Sequence, residues 1–312
     1  MTIPFFSIVI PTYNRQNLVI RAVNSVINQD FHDFEVIVVD DGSTDKTVEN
    51  ITNIDDERIS IVTHEINSGV SVARNTGINK ARGIWILTLD SDDELLQNSL
   101  SIAYEEAIIA RDDIGMIRFL NQLDDGTITP IPPLEEAEWN FEDYIKWNEK
   151  VMNSSNTDSC KIIRKKCFER VQFPIGRALE SEFHFNFAYN FNIKCKPIPL
   201  ILVHTDAMSR LSSPSPEVLR LIANDTVNSN TRILEKYGKH IKSISPKLYN
   251  RKLSSTAFYC FISKRKRYGF KLCYKAIINQ PLQVRNWSIL IGLISPSLLI
   301  KLKTDRQKHL KN

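Results

Sequence analysis

The sequence predicts an α/β fold: a mostly parallel sheet covered by helices, followed by a helical, basic C-terminal region. Three observations predict it. In the first hundred residues, short apolar runs alternate with stretches of helical periodicity. The apolar runs show no polar alternation, which is typical of parallel strands that are covered on both faces. From about residue 216 onward the pattern is helical and basic residues accumulate.

The predicted elements of the first hundred residues follow one another closely. Each apolar run is rich in Val and Ile, and the stretches between them repeat apolar residues at helical spacing. Ser43 or Thr44 is expected to cap the helix after the second strand. The predicted strands are 7–11, 34–39, 59–63 and 84–89, and the predicted helices are 18–28 and 72–81.

The next hundred residues carry further elements. Residues 95–120 predict a helix and a strand, and 173–205 predict a loop, an aromatic helix and a strand. The aromatic run 183–191 has period two, which taken alone is typical of a strand. The segment LSSPSP at 211–216 predicts a hinge before the helical region.

The composition excludes several classes of protein. The chain has 312 residues, 42% of them hydrophobic, and a formal net charge of +4, so it can bury a large core and is not disordered. Its five cysteines are scattered without a CxxC pair, which argues against a disulfide framework and indicates a reducing compartment. The N-terminal segment lacks the basic stretch of a signal peptide, so we expect a cytoplasmic location.

Charge is distributed unevenly along the chain. Residues 248–312 contain fourteen Lys and Arg and a single acid, Asp305, whereas residues 1–247 hold 26 bases and 35 acids. The apolar stretch 287–300 is too short to cross ~30 Å of hydrocarbon. With Trp287 and its flanking cations, it suits a helix on an anionic membrane surface; an amphipathic helix folded back on the rest of the chain is the alternative. No nucleic-acid-binding module is recognisable, so nucleic acid is not an expected partner.

Polar side chains follow three of the predicted strands where those strands end. Ligands of parallel α/β sheets bind beyond the carboxyl ends of the strands, so these side chains are the candidate site. Asp90 and Asp92 could converge on a hard cation, because Mg²⁺ is bound by one or two carboxylates plus substrate phosphates. The alternative is an acidic helix N-terminus. The three polar segments are Pro11-Thr12-Tyr13-Asn14, Asp40-Asp41-Gly42-Ser43 and Asp90-Ser91-Asp92-Asp93.

The first two segments fit a nucleotide. Asp40 can accept a hydrogen bond from a nucleobase imide, and Thr12 or Tyr13 can hold base and ribose. A helix cap and a plain turn are the respective alternatives. Arg74 offers a cation for a phosphate, or is a packing residue.

Several motifs occur together in a defined order over residues 5–100. In this order they resemble the family 2 glycosyltransferases of the GT-A fold, a Rossmann-like architecture. The resemblance covers about a third of the chain. It is carried by SIVIPTYNR, QDFHDFEVIVVDDGSTDKT, NSGVSVARNTGI and ARGIWILTLDSDD.

This resemblance implies roles for individual residues. Asp40 matches the carboxylate that reads the base, commonly uracil. Asp90 and Asp92 match the DxD pair, the first directed to ribose and the second to a Mn²⁺ or Mg²⁺ ion on the diphosphate. The residues that match the donor-binding positions of the family are Pro11, Thr12, Tyr13, Asp40, Asp41, Arg74, Asp90 and Ser91, with Asp92 as the metal ligand.

The general base is where the chain departs from the family. The family pattern F-P-x-G-x-x-x-E-D-x-F resembles FPIGRALESEF at 173–183, and Ser181 stands where the usual Asp would be. Glu180 or Glu182 could serve instead, although a helix points the two side chains in different directions. Solvated acids at a helix start are the alternative. His184 and His204 could each be a further metal ligand or a packed side chain.

The resemblance implies an inverting glycosyltransferase. We expect transfer from a nucleotide sugar, UDP-linked, to a hydroxyl of a glycan or lipid-linked glycan, in cell-surface polysaccharide synthesis at the inner face of a membrane. A nucleotide-sugar-binding protein with a decayed site is the alternative. A sugar nucleotidyltransferase is disfavoured, because only PTYNR follows the first strand where a phosphate loop is needed. We expect a catalytic domain at 1–212, with a donor half at about 1–100 and an acceptor half at 101–212, and a helical region at 213–312.

Overall fold

The computed structural model describes residues 3–154, 157–177, 179–204 and 215–309. These residues form two compact units. The first comprises the described parts of Met1–Phe141, Asn153–Ile175 and Asn186–Ala207; the second comprises those of Glu142–Met152, Gly176–Phe185 and Met208–Asn312. The domain boundaries expected from the sequence stay a prediction.

The first unit contains one sheet of ten strands. Its main path has the order β3-β2-β1-β4-β9-β6-β10-β5, and β7 and β8 pair with β6 and β10. The strands are β1 Phe6–Thr12, β2 Phe34–Asp40, β3 Ile59–Thr63, β4 Trp85–Thr88, β5 Glu94–Leu95, β6 Ile114–Leu123, β7 Ile128–Thr129, β8 Ala137–Trp139, β9 Cys160–Arg164 and β10 Asn192–Val203.

Parallel pairing dominates the half of the sheet that ends in the polar segments. The strands β3, β2, β1 and β4 are parallel to one another, whereas β9 runs antiparallel to both β4 and β6. Every residue of β1 and β2 is buried, as expected for strands covered on both faces. The helices of this unit are α1 Leu18–Ile27, α2 Thr47–Thr52, α3 Val70–Lys80 and α4 Ser99–Ile108, with a 3₁₀ helix at Lys165–Glu169.

The second unit is helical. Pro216 and Pro246 each occupy the first turn of a helix, and Ser215 and Ser245 cap those two helices by accepting hydrogen bonds from Val218 N and Leu248 N. Helix α6, Glu180–Asn190, begins in this unit and ends in the first. The other helices are α5 Phe141–Val151, α7 Pro216–Ile244, α8 Pro246–Ile262, α9 Lys266–Asn279, α10 Val284–Ser288, α11 Ile291–Ile294 and α12 Pro296–His309.

The structure confirms the α/β fold and corrects several local predictions. Neither Ser43 nor Thr44 caps α2, which begins at Thr47; the Asp45 carboxylate accepts the hydrogen bond from Thr47 N instead. The aromatic helix predicted within 173–205 is confirmed as α6, although its aromatic residues repeat with period two. The stretch 287–300 is not one helix but parts of α10, α11 and α12. Most of the hinge predicted at 211–216 lies outside the described residues. None of the described helices is both long and apolar enough to traverse a bilayer.

Candidate functional site

The site lies at the carboxyl ends of β1, β2 and β4. The parallel register places Thr12, the last residue of β1, beside Asp40, the last residue of β2. Both side chains are buried, at 3% and 2% exposure. Thr12 Oγ1 and Asp40 Oδ1 have no hydrogen-bond partner among the described residues, whereas Asp40 Oδ2 accepts from Ser43 N at 3.0 Å. A buried polar atom without a partner is costly, so these two atoms are suited to a ligand that donates to them.

A tight loop follows β1 and is tied to the loop after β2. Asn14 has a positive φ of 50°. Its backbone N–H donates to Ser43 Oγ at 2.8 Å, and its side-chain Oδ1 accepts from Thr44 N at 2.8 Å. This arrangement leaves the Tyr13 side chain 43% exposed at the sheet edge, while Pro11 is buried within β1. Asn14 belongs to the first polar segment, but no role of its own was predicted for it, although Asn is a residue type enriched at positive φ.

Asp41 supports the protein's own backbone. Its Oδ1 accepts from Ser68 N at 3.0 Å, and its Oδ2 accepts from Gly69 N at 2.7 Å. His64 Nδ1 also lies 2.8 Å from Asp41 Oδ1. Because Gly69 is the N-cap of α3, Asp41 fixes the start of the helix that carries Arg74.

Arg74 reaches from α3 to the third polar segment. Its guanidinium NH2 lies 2.7 Å from Asp90 Oδ1 and its Cζ lies 5.6 Å from the centre of the Phe173 ring. The neighbouring Asn75 makes two hydrogen bonds with the backbone of Phe173, at 2.8 and 3.1 Å. The first residue of FPIGRALESEF is thus tied to α3. Asp90 remains half exposed.

The segment after Asp90 is held by Arg21 and His204. Arg21 NH2 donates to the Asp92 carbonyl at 2.6 Å. His204 N donates to Asp93 Oδ1 at 3.2 Å, and its ring Nε2 lies 2.6 Å from Glu94 Oε1. The segment is not an acidic helix start, since β5 follows it and α4 begins only at Ser99. Ser91, between the two aspartates, is buried.

The residues at this edge fit a divalent cation that is shared with a diphosphate. The partly exposed Asp92 carboxylate has no hydrogen-bond partner within the described residues, and Asp90 has only one oxygen at Arg74. Over the same residues, no group of three or more His, Cys, Asp and Glu side chains could hold a metal by itself. A Mg²⁺-type site needs only one or two carboxylates, because substrate phosphates and water complete it.

The two candidate bases have different environments at the start of α6. Glu182 is buried, and its two oxygens accept from Arg232 Nε and NH2 at 2.6 and 2.7 Å. This hydrogen bonding raises the pKa of Arg232, against the opposing effect of burial. Glu180, in the first turn, is exposed. The neighbouring Ser181 Oγ accepts from Lys252 Nζ at 3.3 Å.

Neither Arg232 nor Lys252 was predicted from the sequence. Lys252 Nζ lies 4.6 Å from the centre of the Phe185 ring, and burial lowers the pKa of Lys252 to about 8. Both basic residues lie 50 or more positions from their partners, so no local pattern links them. His184 is half-buried and its ring lies 5.5 Å from that of Phe183.

The chain is similar to known glycosyltransferases. The sequence profile of the family described as Glycosyl transferase family 2 matches residues 7–172. The chain is 44% identical over 101 residues to the putative colanic acid biosynthesis glycosyl transferase WcaA of Escherichia coli, which covers 32% of this chain and 36% of that protein. It is 40% identical over 107 residues to the GalNAc(5)-diNAcBac-PP-undecaprenol beta-1,3-glucosyltransferase of Campylobacter jejuni, covering 33% and 35%.

The likeness to a solved structure extends over more of the chain. The crystal structure of S. aureus TarS 1–349 in complex with UDP-GlcNAc superposes with a TM-score of 0.59 at 21% identity, over 89% of this chain and 92% of that one. At this identity the likeness shows a common fold. The sequence matches, in contrast, span only about a third of the length of the two curated relatives.

Proposed function

Because the chain belongs to glycosyl transferase family 2 and has a GT-A-like fold, we propose that it is an inverting glycosyltransferase with a nucleotide-sugar donor. Its acceptor is a hydroxyl of a glycan or of a lipid-linked glycan. The observation that carries the proposal is the pair of unpartnered buried oxygens of Thr12 and Asp40 beside the Asp90–Asp92 segment. A nucleotide bound at the carboxyl ends of the strands presents N–H and O–H groups, from which these oxygens can accept hydrogen bonds.

The donor nucleotide occupies the ends of β1 and β2. Asp40 Oδ1 accepts the imide N–H of a uracil base, which satisfies the buried oxygen. The exposed Tyr13 ring covers the base, and Asp90, oriented by Arg74, receives a ribose hydroxyl. Pro11, Asp41 and Ser91 act by shaping this surface rather than by contact with their side chains.

Asp92 would hold a divalent cation, Mn²⁺ or Mg²⁺, through its partly exposed carboxylate. When bound, the cation supplies positive charge that stabilises the departing diphosphate. Arg74 adds a protein cation near the same position through its contact with Asp90.

Glu180 is the general base. A base must be within reach of the acceptor hydroxyl. Glu180 is exposed, whereas Glu182 is buried and both of its oxygens accept from Arg232. Glu180 accepts the proton of the acceptor hydroxyl while that oxygen attacks the anomeric carbon. The bond from the anomeric carbon to the diphosphate oxygen breaks, the electron pair leaves with the nucleoside diphosphate, and the configuration is inverted.

The pathway is the synthesis of a cell-surface polysaccharide at the inner face of the cell membrane. The names of the two relatives support this, since one refers to colanic acid and the other to an undecaprenol-linked glycan. The basic C-terminal region supports peripheral contact with an anionic leaflet.

Calorimetric titration with UDP, GDP, CDP and dTDP, each with and without Mn²⁺, tests the donor site. We expect a preference for UDP that requires Mn²⁺, and a loss of that preference in Asp40→Asn. Asp33→Asn, on the exposed turn before β2, is the control. Absence of binding to every nucleotide would overturn the proposal.

Ser181 favours one second candidate, a nucleotide-sugar-binding protein without transfer activity. A coupled assay for UDP release from UDP-sugars separates the two functions. Release that depends on an added glycan acceptor supports the transferase, whereas donor binding without any release favours the binding protein.

A further inference from the structure

Helix α9 presents an apolar stripe to solvent. Its inner face is buried through Gly269, Leu272, Cys273 and Ala276. On the other face, Phe270, Tyr274 and Ile278 are 49% to 61% exposed. These three residues are four positions apart, so they form one continuous stripe along the helix.

The turn after α9 and the start of α10 continue this apolar surface. Leu282 is 94% exposed, more than any other large hydrophobic side chain among the residues the structure describes, and Val284 is 79% exposed. Trp287 follows, half exposed, and its indole Nε1 donates to the Pro281 carbonyl at 2.7 Å. This hydrogen bond satisfies the indole N–H within the segment and leaves the surface of the ring available for an apolar contact.

Cations border the stripe on the same helix. Lys271 and Lys275 are exposed and each follows an exposed aromatic residue in the sequence. Lys266 and Arg267 are exposed at the start of α9. Residues 248–312 as a whole contain only one acid against fourteen bases, so the surface combines apolar, aromatic and cationic groups.

We propose that the outer face of α9 and the segment 281–287, which comprises the turn after α9 and most of α10, form a docking surface for an anionic lipid membrane. Aliphatic side chains enter the boundary of the acyl chains, the aromatic rings lie at the headgroup level, and the lysines attract the anionic headgroups. The aliphatic residues Ile278, Leu282 and Val284 fit hydrocarbon better than nucleobases, which stack on aromatic rings. A second copy of this chain would bring two cationic surfaces together.

This inference rests on the membrane contact of the proposed function and extends it to a segment that precedes the stretch 287–300. Within that stretch, Ile289, Leu299 and Ile300 are buried, whereas Trp287, Ile294 and Leu298 are 47% to 88% exposed. The exposed apolar groups of α9 and of the turn after it therefore add to those of the stretch that the sequence points to.

Sedimentation of the full chain with lipid vesicles tests the proposal. The vesicles consist of phosphatidylcholine alone, or of phosphatidylcholine and phosphatidylglycerol in equal parts. We expect binding to the anionic vesicles that weakens roughly tenfold or more in Leu282→Ser/Val284→Ser. Lys271→Gln/Lys275→Gln should weaken it by roughly fivefold per lysine at low salt and reduce its salt dependence. Ile108→Ser/Ile109→Ser, which changes two exposed isoleucines of the first unit, is the matched control and should bind normally.

Three results would overturn the inference. The first is equal binding of the chain to neutral and to anionic vesicles. The second is normal vesicle binding by both Leu282→Ser/Val284→Ser and Lys271→Gln/Lys275→Gln. The third is stronger binding to a single-stranded RNA than to the vesicles. Calorimetric UDP binding by the same variants separates this inference from the proposed function. A variant that no longer binds vesicles but still binds UDP supports the docking surface. If the unaltered chain does not bind UDP, that result bears on the donor site alone.

Discussion

Neighbouring carboxylates in this molecule differ in the groups that their oxygens contact, and we infer different roles for them from those contacts. Asp92 has a partly exposed carboxylate, and in the described structure only its carbonyl is bound, by Arg21. The adjacent Asp93 uses its side chain to accept from His204 N. We expect Asp92→Asn to abolish the Mn²⁺ dependence of UDP binding in calorimetry, because an amide is a much weaker ligand for a hard cation. Asp93→Asn is the neighbouring control, and an equal effect in both variants would argue against Asp92 as the ligand.

Glu180 and Glu182 allow a second comparison between near neighbours. Glu180→Gln should lower turnover about 10²- to 10⁴-fold with unchanged donor affinity, since it removes a general base. Glu182→Gln removes the ionic partner of Arg232, whose side chain is 51% exposed and can be solvated, so we expect the free energy of unfolding to fall by only about 1 kcal/mol. Steady-state kinetics and urea unfolding measure the two effects. Normal turnover in Glu180→Gln would remove it from the mechanism.

The sequence alone predicts which residues lie side by side where the order of the strands decides it. The rule that parallel strands end at one edge places Thr12 beside Asp40, as the register shows. The partners of Asp41 and Glu182 were not predictable, because Gly69 and Arg232 come from other elements of the chain. The sequence therefore indicates which groups could bind a ligand, but not which of them the protein itself occupies.

At the scale of elements, the packing of α3 on the sheet depends on one glycine. A Cβ at Gly77 would clash with Val9 Cγ1 and lie 3.1 Å from Val39 Cγ2, so α3 lies directly against β1 and β2. We expect Gly77→Ala to destabilise the protein by about 1–3 kcal/mol through overpacking. Gly238→Ala in α7 is the matched control, because its Cβ would meet only Tyr249 Cε2 at 3.4 Å.

The control should be neutral or should stabilise by up to ~1 kcal/mol, since Ala favours a helix over Gly. Thermal unfolding of both variants measures the difference. Equal melting temperatures would contradict the close approach of α3 to the sheet. Because α3 carries Arg74, we also expect Gly77→Ala to weaken UDP binding.

Elements were predictable from the sequence where their pattern is local. The buried runs of β1 and β2 and the periodic stretch of α1 are of this kind. The antiparallel insertion of β9 between β4 and β6 was not, because it depends on pairing across more than 40 residues of chain. The stretch 287–300 was expected to form one helix, but it is divided among α10, α11 and α12. Its hydrophobicity alone does not show where one helix ends and the next begins.

At the scale of the whole molecule, both units bury free thiols, and this couples stability to alkaline pH. All five cysteines are buried and unpaired. Burial raises the pKa of Cys160, Cys195 and Cys260 to about 12, and those of Cys167 and Cys273 to about 11. An unfolded thiol has a pKa of about 8.5.

Above about pH 8.5 the unfolded chain therefore releases thiol protons that the folded chain keeps. Stability falls with pH wherever the unfolded state binds fewer protons. Lys252 and Lys303 act in the opposite direction, because burial lowers the pKa of each to about 8. Between about pH 8 and 10.4 an unfolded lysine binds a proton that the folded one has released, so the lysines make stability increase as the pH rises.

Five thiols outnumber two lysines, so we expect the melting temperature to fall between about pH 9 and 10.5 in the presence of a reductant. Cys160→Ala/Cys195→Ala should make that fall shallower, because it removes two of the raised thiols, both from the first unit. Lys252→Met/Lys303→Met should make it steeper, because it removes the opposing groups. Scanning calorimetry at half-unit pH steps measures all three slopes. A melting temperature that is constant or rising over this range would contradict the burial of these cysteines and lysines. Identical slopes of melting temperature against pH in the three proteins would contradict it as well.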